Sequence, residues 1–222
     1  TEAPINEALA AGMLLLAGWE GQSDFVDPMC GSGTFLIEAA LIALNIPPCI
    51  YRQSLAFEKW KDFDKELFEE LYNDDSLERP FKFKIRGADV SPRAVKIAQE
   101  NIKAAGLTKY ITVEQRSVAD WEVQTEKTLV VTNPPYGERI LSDDLFGLYA
   151  QLGDTLKHKF TGSTAWVISS HISCLQRVGL RPSEKVKLLN GALDCEFWKY
   201  ELFRGKRNDF VAKKKDRRSS EK

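Results

Sequence analysis

A chain of 222 residues, 43% hydrophobic and 28% charged, is neither disordered nor collagen-like, and it can bury on the order of 70% of its unfolded surface without a disulfide or metal staple. Thirty-one Lys and Arg stand against 32 Asp and Glu, so the net charge of −1 neither demands nor excludes a nucleic-acid partner. Four scattered cysteines, two histidines and no CxxC pair argue against a disulfide framework and a zinc site, and fit a reducing, cytoplasmic compartment.

In chain order, Ala3 to Trp19 reads as a helix, and its apolar run of 12 residues is too short to span a bilayer. It also lacks the basic start of a signal peptide. Asp24 to Pro28 is a short buried strand, followed by a helix from Thr34 to Asn45. Residues 46–80 form an excursion in which Tyr51, Phe57, Trp60, Phe63, Phe68 and Tyr72 lie among acidic residues, with a helix over Lys61 to Asp74. Core packing or a lid suits these aromatics better than a base-stacking surface. Phe83 to Asp89 is the second strand. The helix after it has Ser91 as N-cap, Pro92 at its first position and Gly106 past its end. Strands over Tyr110 to Gln115 and Thr128 to Thr132 follow, then a helix over Asp143 to Phe160 and a fifth strand over Ser163 to Ser170. Asn190-Gly191 marks a hairpin between two further strands. Strands alternating with helices and closed by a hairpin predict an α/β fold whose sheet is parallel with an antiparallel edge. No internal repeat is present.

Between the first strand and its helix, "DPMCGSG" places Asp27, Gly31 and Gly33 where an open α/β sheet binds ligands. The third position of the dinucleotide fingerprint is Leu36, so the loop is not a pyrophosphate cradle. A nucleoside bearing a sulfonium needs no such cradle, and Asp27 suits its cationic amino-acid end. A tight turn serving only chain reversal is the competing reading. Asp89, closing the second strand, can accept both hydroxyls of a ribose or be a plain strand-end carboxylate. Asp120 and Trp121 could hold a purine or lie on the surface. Cys30 reads as a small packed residue rather than a thiolate.

"TNPPYGER", Thr132 to Arg139, carries the chemistry. Two prolines fix φ and lack N–H groups, which makes a stiff corner. The side chain of Asn133 and the carbonyl of Pro134 are two acceptors that could hold both hydrogens of an exocyclic amine, with Tyr136 stacked on the base. Such an amine is a poor nucleophile because its lone pair is delocalised, and a paired clamp favours a tetrahedral nitrogen.

The segments "DPMCGSGTFLIEAA", "GADVSPRAVKIAQENIKAAG" and "VVTNPPYGERI" resemble class I S-adenosylmethionine-dependent methyltransferases. More closely they are similar to the THUMP-associated family of RNA guanine-N2 methyltransferases, and the likeness extends to "LAFEKWKDFD" in the excursion. The resemblance implies a Rossmann-like, mostly parallel seven-stranded sheet over residues 1–204, and methyl transfer to guanosine N2 in RNA, 23S ribosomal RNA foremost. It implies a cofactor pocket of Asp27, Pro28, Gly31, Ser32, Gly33, Asp89, Asp120 and Asn133. Asn133, Pro134 and Tyr136 would be catalytic, and Pro135, Tyr136 and Arg139 would touch the substrate. No metal and no membrane are expected. Adenine-N6 methylation of DNA or RNA, glutamine-N5 methylation of a protein, and a non-catalytic cofactor-binding module are the alternatives, because NPPY is shared among them. The family carries an RNA-binding THUMP domain before this region. A chain starting at Thr1 without methionine fits a piece of such a protein. From Arg204 on, nine Lys and Arg against three Asp and Glu give a basic tail, with 205–222 expected to be disordered and available to RNA phosphates.

Overall fold

A computed structural model describes residues 5–48, 54–124, 127–135 and 143–203. Helix α1 (Glu7–Leu16) starts later than the sequence predicts, because the Asn6 side chain caps the Leu9 amide at 2.8 Å. Then come β1 (Asp24–Asp27) and α2 (Thr34–Leu44). The excursion supplies a 3-10 turn (Ala56–Lys59) and α3 (Lys65–Tyr72), the latter shorter than predicted because Asp64 caps it. Next are β2 (Ile85–Asp89), α4 (Pro92–Ala104), β3 (Ile111–Gln115), a 3-10 turn (Val118–Asp120) and β4 (Thr128–Thr132). The chain closes with α5 (Asp143–Lys159), β5 (Thr164–Ser169), α6 (Ile172–Arg177), β6 (Glu184–Asn190) and β7 (Leu193–Glu201). Ser91 caps α4 and Pro92 opens it, as the sequence predicts.

The seven strands form one sheet in the order β3-β2-β1-β4-β5-β7-β6. The first five are parallel, while β7 pairs antiparallel with both β5 and β6. This is the parallel sheet with an antiparallel edge expected from the alternation of strand and helix periods, in the Rossmann-like seven-stranded form that the resemblance implies. Asn190 pairs with Leu193, so the hairpin loop is Gly191-Ala192 rather than Asn190-Gly191, and Gly191 takes the positive φ of 62° the turn requires.

Strand residues alternate between two cores. Phe25, Val131, Trp166 and Ile168 face one core with α1, α2 and α4. Val26, Val130, Ala165 and Val167 face the other with α5 and α6. Both faces are covered, which explains why the central strands read as continuous apolar runs. Of the excursion's aromatics, Tyr51 lies outside the described residues, and Phe57, Trp60, Phe63, Phe68 and Tyr72 pack on one another. Phe57 contacts Phe63 and Phe68 at centroid distances of 5.9 and 5.5 Å, and Trp60 stays 68% exposed. No helix among the described residues is long and apolar enough to cross a membrane.

Candidate active site

The order β2-β1-β4 reverses direction around β1, so the loops after these strands diverge and leave a crevice at their carboxyl ends. A cavity of about 530 Å³ lies there, lined by the glycine loop, Asp89 and the Asn133-Pro134-Pro135 corner among others.

The glycine loop is held by one local bond and by two bonds to β2 and α4. The Cys30 amide donates to the Ala88 carbonyl at 2.8 Å, and the Gly33 amide to the Cys30 carbonyl at 2.8 Å. Asn101 of α4 donates to the Ser32 carbonyl at 3.0 Å. Gly31 has φ 53°, and a Cβ there would meet nothing within 4 Å, so its open side is room for a ligand. Gly33 has φ 84° and lies against Ala98, so its role is helix–loop packing. Pro28, Gly31 and Ser32 line the cavity; Gly33 does not.

Asp27 ends β1 in full burial. Its Oδ1 accepts the Thr132 hydroxyl at 2.7 Å and the Met29 amide at 3.2 Å. Oδ2 is therefore the atom available to a cationic group. Burial pushes the carboxyl up to about 7, with the bonds from Thr132 and Met29 opposing the shift and the nearby Asp89 adding to it. A carboxylate destabilised in this way is completed by a positive ligand. The Thr132 bond also ties the end of β1 to the residue before Asn133, coupling the two halves of the cavity.

Asp89 ends β2 and accepts the Gly31 amide on Oδ2 at 3.1 Å and the Ser91 amide on Oδ1 at 2.9 Å. Each oxygen keeps a second lone pair for a hydroxyl donor. Asn133 follows β4 directly, and its Oδ1 is buried without a hydrogen-bond partner among the described residues. A buried acceptor left bare costs about 1–3 kcal/mol, which a ligand N–H would recover. Pro134 is buried and Pro135 exposed at the same corner. Tyr136 and Arg139 lie outside the described residues.

Asp120 is exposed at the end of its 3-10 turn and does not line the cavity, which takes Ser117 and Val118 from that segment instead. Trp121, read from sequence as a purine partner, is 3% exposed and packs on Phe160 at 5.7 Å. Its side chain belongs to the core on the α5 and α6 face of the sheet, with Arg116 over its ring at 5.2 Å. Cys30 is 6% exposed, and burial among Asp27 and Asp89 drives its thiol pKa upward, so it is an inert wall residue.

Sequence reasoning missed several lining residues. Arg116 follows β3, and its position just after a parallel strand was the available signal. Leu148 and Gln151 come from α5 and Ile5 from the segment before α1; nothing local marks them. No cluster of metal-ligating side chains occurs among the described residues.

A family described as RMKL-like, methyltransferase domain, matches residues 1–199. Slr0064 of Synechocystis, assigned as an RNA methyltransferase, is 37% identical over 208 residues, covering 90% of this chain and 53% of that protein. The ribosomal RNA large subunit methyltransferase K/L of Shewanella pealeana is 37% identical over 203 residues, covering 88% of this chain and 29% of that protein. Among solved structures, SMU.472, assigned as a methyltransferase and solved with SAH, superposes with a TM-score of 0.83 at 34% identity, over 93% of this chain and 55% of that one. The chain thus spans about half, or less, of the length of these relatives.

Proposed function

The chain belongs to the family of RMKL-like methyltransferase domains, and from that premise we propose that it transfers a methyl group from S-adenosylmethionine to the exocyclic N2 of a guanine in RNA, large-subunit ribosomal RNA foremost. The bare buried Oδ1 of Asn133, set in the same cavity as Asp27 and Asp89, carries this reading.

The residues present suit the cofactor. A buried carboxylate at Asp27 matches an ammonium, Asp89 has lone pairs for two ribose hydroxyls, and Gly31 leaves open space between them. Ser117 and Val118 line the same cavity and are proposed to meet the purine edge. When bound, the cofactor supplies a methyl group activated by a sulfonium. Asn133 Oδ1 accepts one amine hydrogen and fixes the orientation of the nitrogen. The two prolines keep that acceptor from relaxing, so orientation is set before reaction. The nitrogen becomes cationic as it is methylated and releases its proton readily, so no strong general base is required. Tyr136 is proposed to stack on the base and Arg139 to contact its strand, and the base must leave its stack to enter.

The test is transfer of labelled methyl to RNA lacking this modification, followed by nucleoside analysis. N2-methylguanosine is the expected product; N6-methyladenosine, or label resistant to ribonuclease, would redirect the reading to adenine or to protein glutamine. Asn133→Ala should lower kcat by at least 100-fold while leaving cofactor-induced stabilisation intact.

A further inference from the structure

Thr132 ends β4 with its side chain fully buried, and it does not line the main cavity. Its hydroxyl reaches the site through Asp27, donating to Oδ1 of that residue at 2.7 Å. The Met29 amide donates to the same oxygen at 3.2 Å, a longer and weaker bond. Asp27, unlike Thr132, lines the cavity itself. The bond therefore joins a residue behind the wall to the carboxylate that forms part of it.

The ionisable side chains around Asp27 are Asp89 at the end of β2 and Cys30 in the glycine loop, and Arg116 after β3 lines the same cavity. Burial and Asp89 both work against a charge on Asp27, and the Thr132 hydroxyl is the strongest of the influences that favour it. A hydroxyl donates more strongly to a carboxylate than to a carboxylic acid, so this bond selects the ionised form.

We propose that Thr132 is a positioning residue whose hydroxyl, bonded to Asp27 Oδ1, fixes the orientation and charge of the carboxylate that receives the cofactor's ammonium. The proposal rests on the reading above that Asp27 meets that ammonium. Before cofactor binds, Asp27 titrates near 7, so in acid the cofactor must displace a proton and binds more weakly. Removing the hydroxyl raises this midpoint and moves the acid limb of the affinity profile to higher pH. A hydrogen bond to a charged group moves it by about one pH unit, a change of about 10-fold in affinity below both midpoints. The alkaline limb belongs to the cofactor's own amine and is common to all variants.

The experiment is calorimetric titration of the intact protein with S-adenosylmethionine between about pH 5.5 and about pH 8.5. Wild type should lose affinity as pH falls through about 7. Thr132→Val keeps the shape and loses the hydroxyl. It should bind on the order of 10-fold more weakly at the acid end, with the gap closing to under about 2-fold at the alkaline end. Thr132→Ser, which keeps the hydroxyl, should follow the wild-type profile. Without cofactor, the carboxyl-carbon NMR signal of Asp27 should titrate about one pH unit higher in Thr132→Val than in wild type. An equal loss of affinity at every pH, or an unmoved Asp27 midpoint, overturns the proposal and leaves Thr132 a structural tie. Should valine prevent folding, Thr132→Cys, a weak donor, carries the same expectation. A wild-type affinity that does not fall in acid would instead defeat the role of Asp27 on which the proposal rests.

Discussion

At the scale of single residues, Asp27 joins stability to function. Its folded-state pKa lies near 7, above the ordinary carboxylate value of 3.8, so the folded chain holds a proton that the unfolded chain gives up. The stabilising contribution of the protonated form is complete below pH 4 and is lost as pH rises toward 7, a change on the order of 4 kcal/mol for a shift of this size. Asp27→Asn keeps an oxygen for Thr132 and Met29 and removes the titration. Urea unfolding without cofactor should show the variant more stable than wild type at pH 8, and the gap should shrink at pH 5. The same variant should no longer be stabilised by S-adenosylmethionine, since an amide cannot balance an ammonium. Stability is thus given up at the site to keep a carboxylate ready for a cation.

Within one element, α5, two glycines have opposite roles. A Cβ on Gly153 would come within 1.8 Å of the Val178 carbonyl oxygen, a backbone atom that cannot swing aside. A Cβ on Gly147 would meet nothing within 4 Å. Gly153→Ala should therefore destabilise the protein by about 3 kcal/mol, as overpacking against backbone does. Gly147→Ala should stabilise it by up to about 1 kcal/mol, the ordinary helix preference of alanine over glycine. Chemical denaturation of both variants reads the difference, and equal effects would contradict the close approach of α5 to the end of α6. That approach bears on the site, because α5 carries Leu148 and Gln151 to the cavity and Tyr149 to Ser169.

For the molecule as a whole, charge is divided along the sequence. Residues 204–222 carry nine basic and three acidic side chains, which leaves the remainder net acidic. Phosphate contacts release counterions, so each one steepens the salt dependence of RNA binding. Deleting residues 205–222 should weaken RNA affinity and flatten the slope of log K against log salt, while leaving cofactor-induced stabilisation unchanged. An unchanged slope in filter binding or anisotropy titrations would show that the tail makes no phosphate contact. Cofactor and RNA binding are separable in this design because the cavity is lined by residues well before the tail.

The sequence by itself determined the order of strands and helices apart from the short α6, the antiparallel closing hairpin, the glycine loop with Asp27, and Asp89 at its strand end. Each is written in local terms: side-chain period, a capping residue, a glycine where φ is positive, or a proline pair that stiffens a turn. Trp121 was misplaced because a tryptophan beside an aspartate looks alike in sequence whether it faces a ligand or a core. The bare Oδ1 of Asn133, the Thr132 bond to Asp27, and the meeting of Arg116, Leu148 and Gln151 around one cavity were decided only by tertiary structure. They depend on which strands lie side by side, and strand order is set by burial of two apolar faces at once, a property that no short stretch of chain contains.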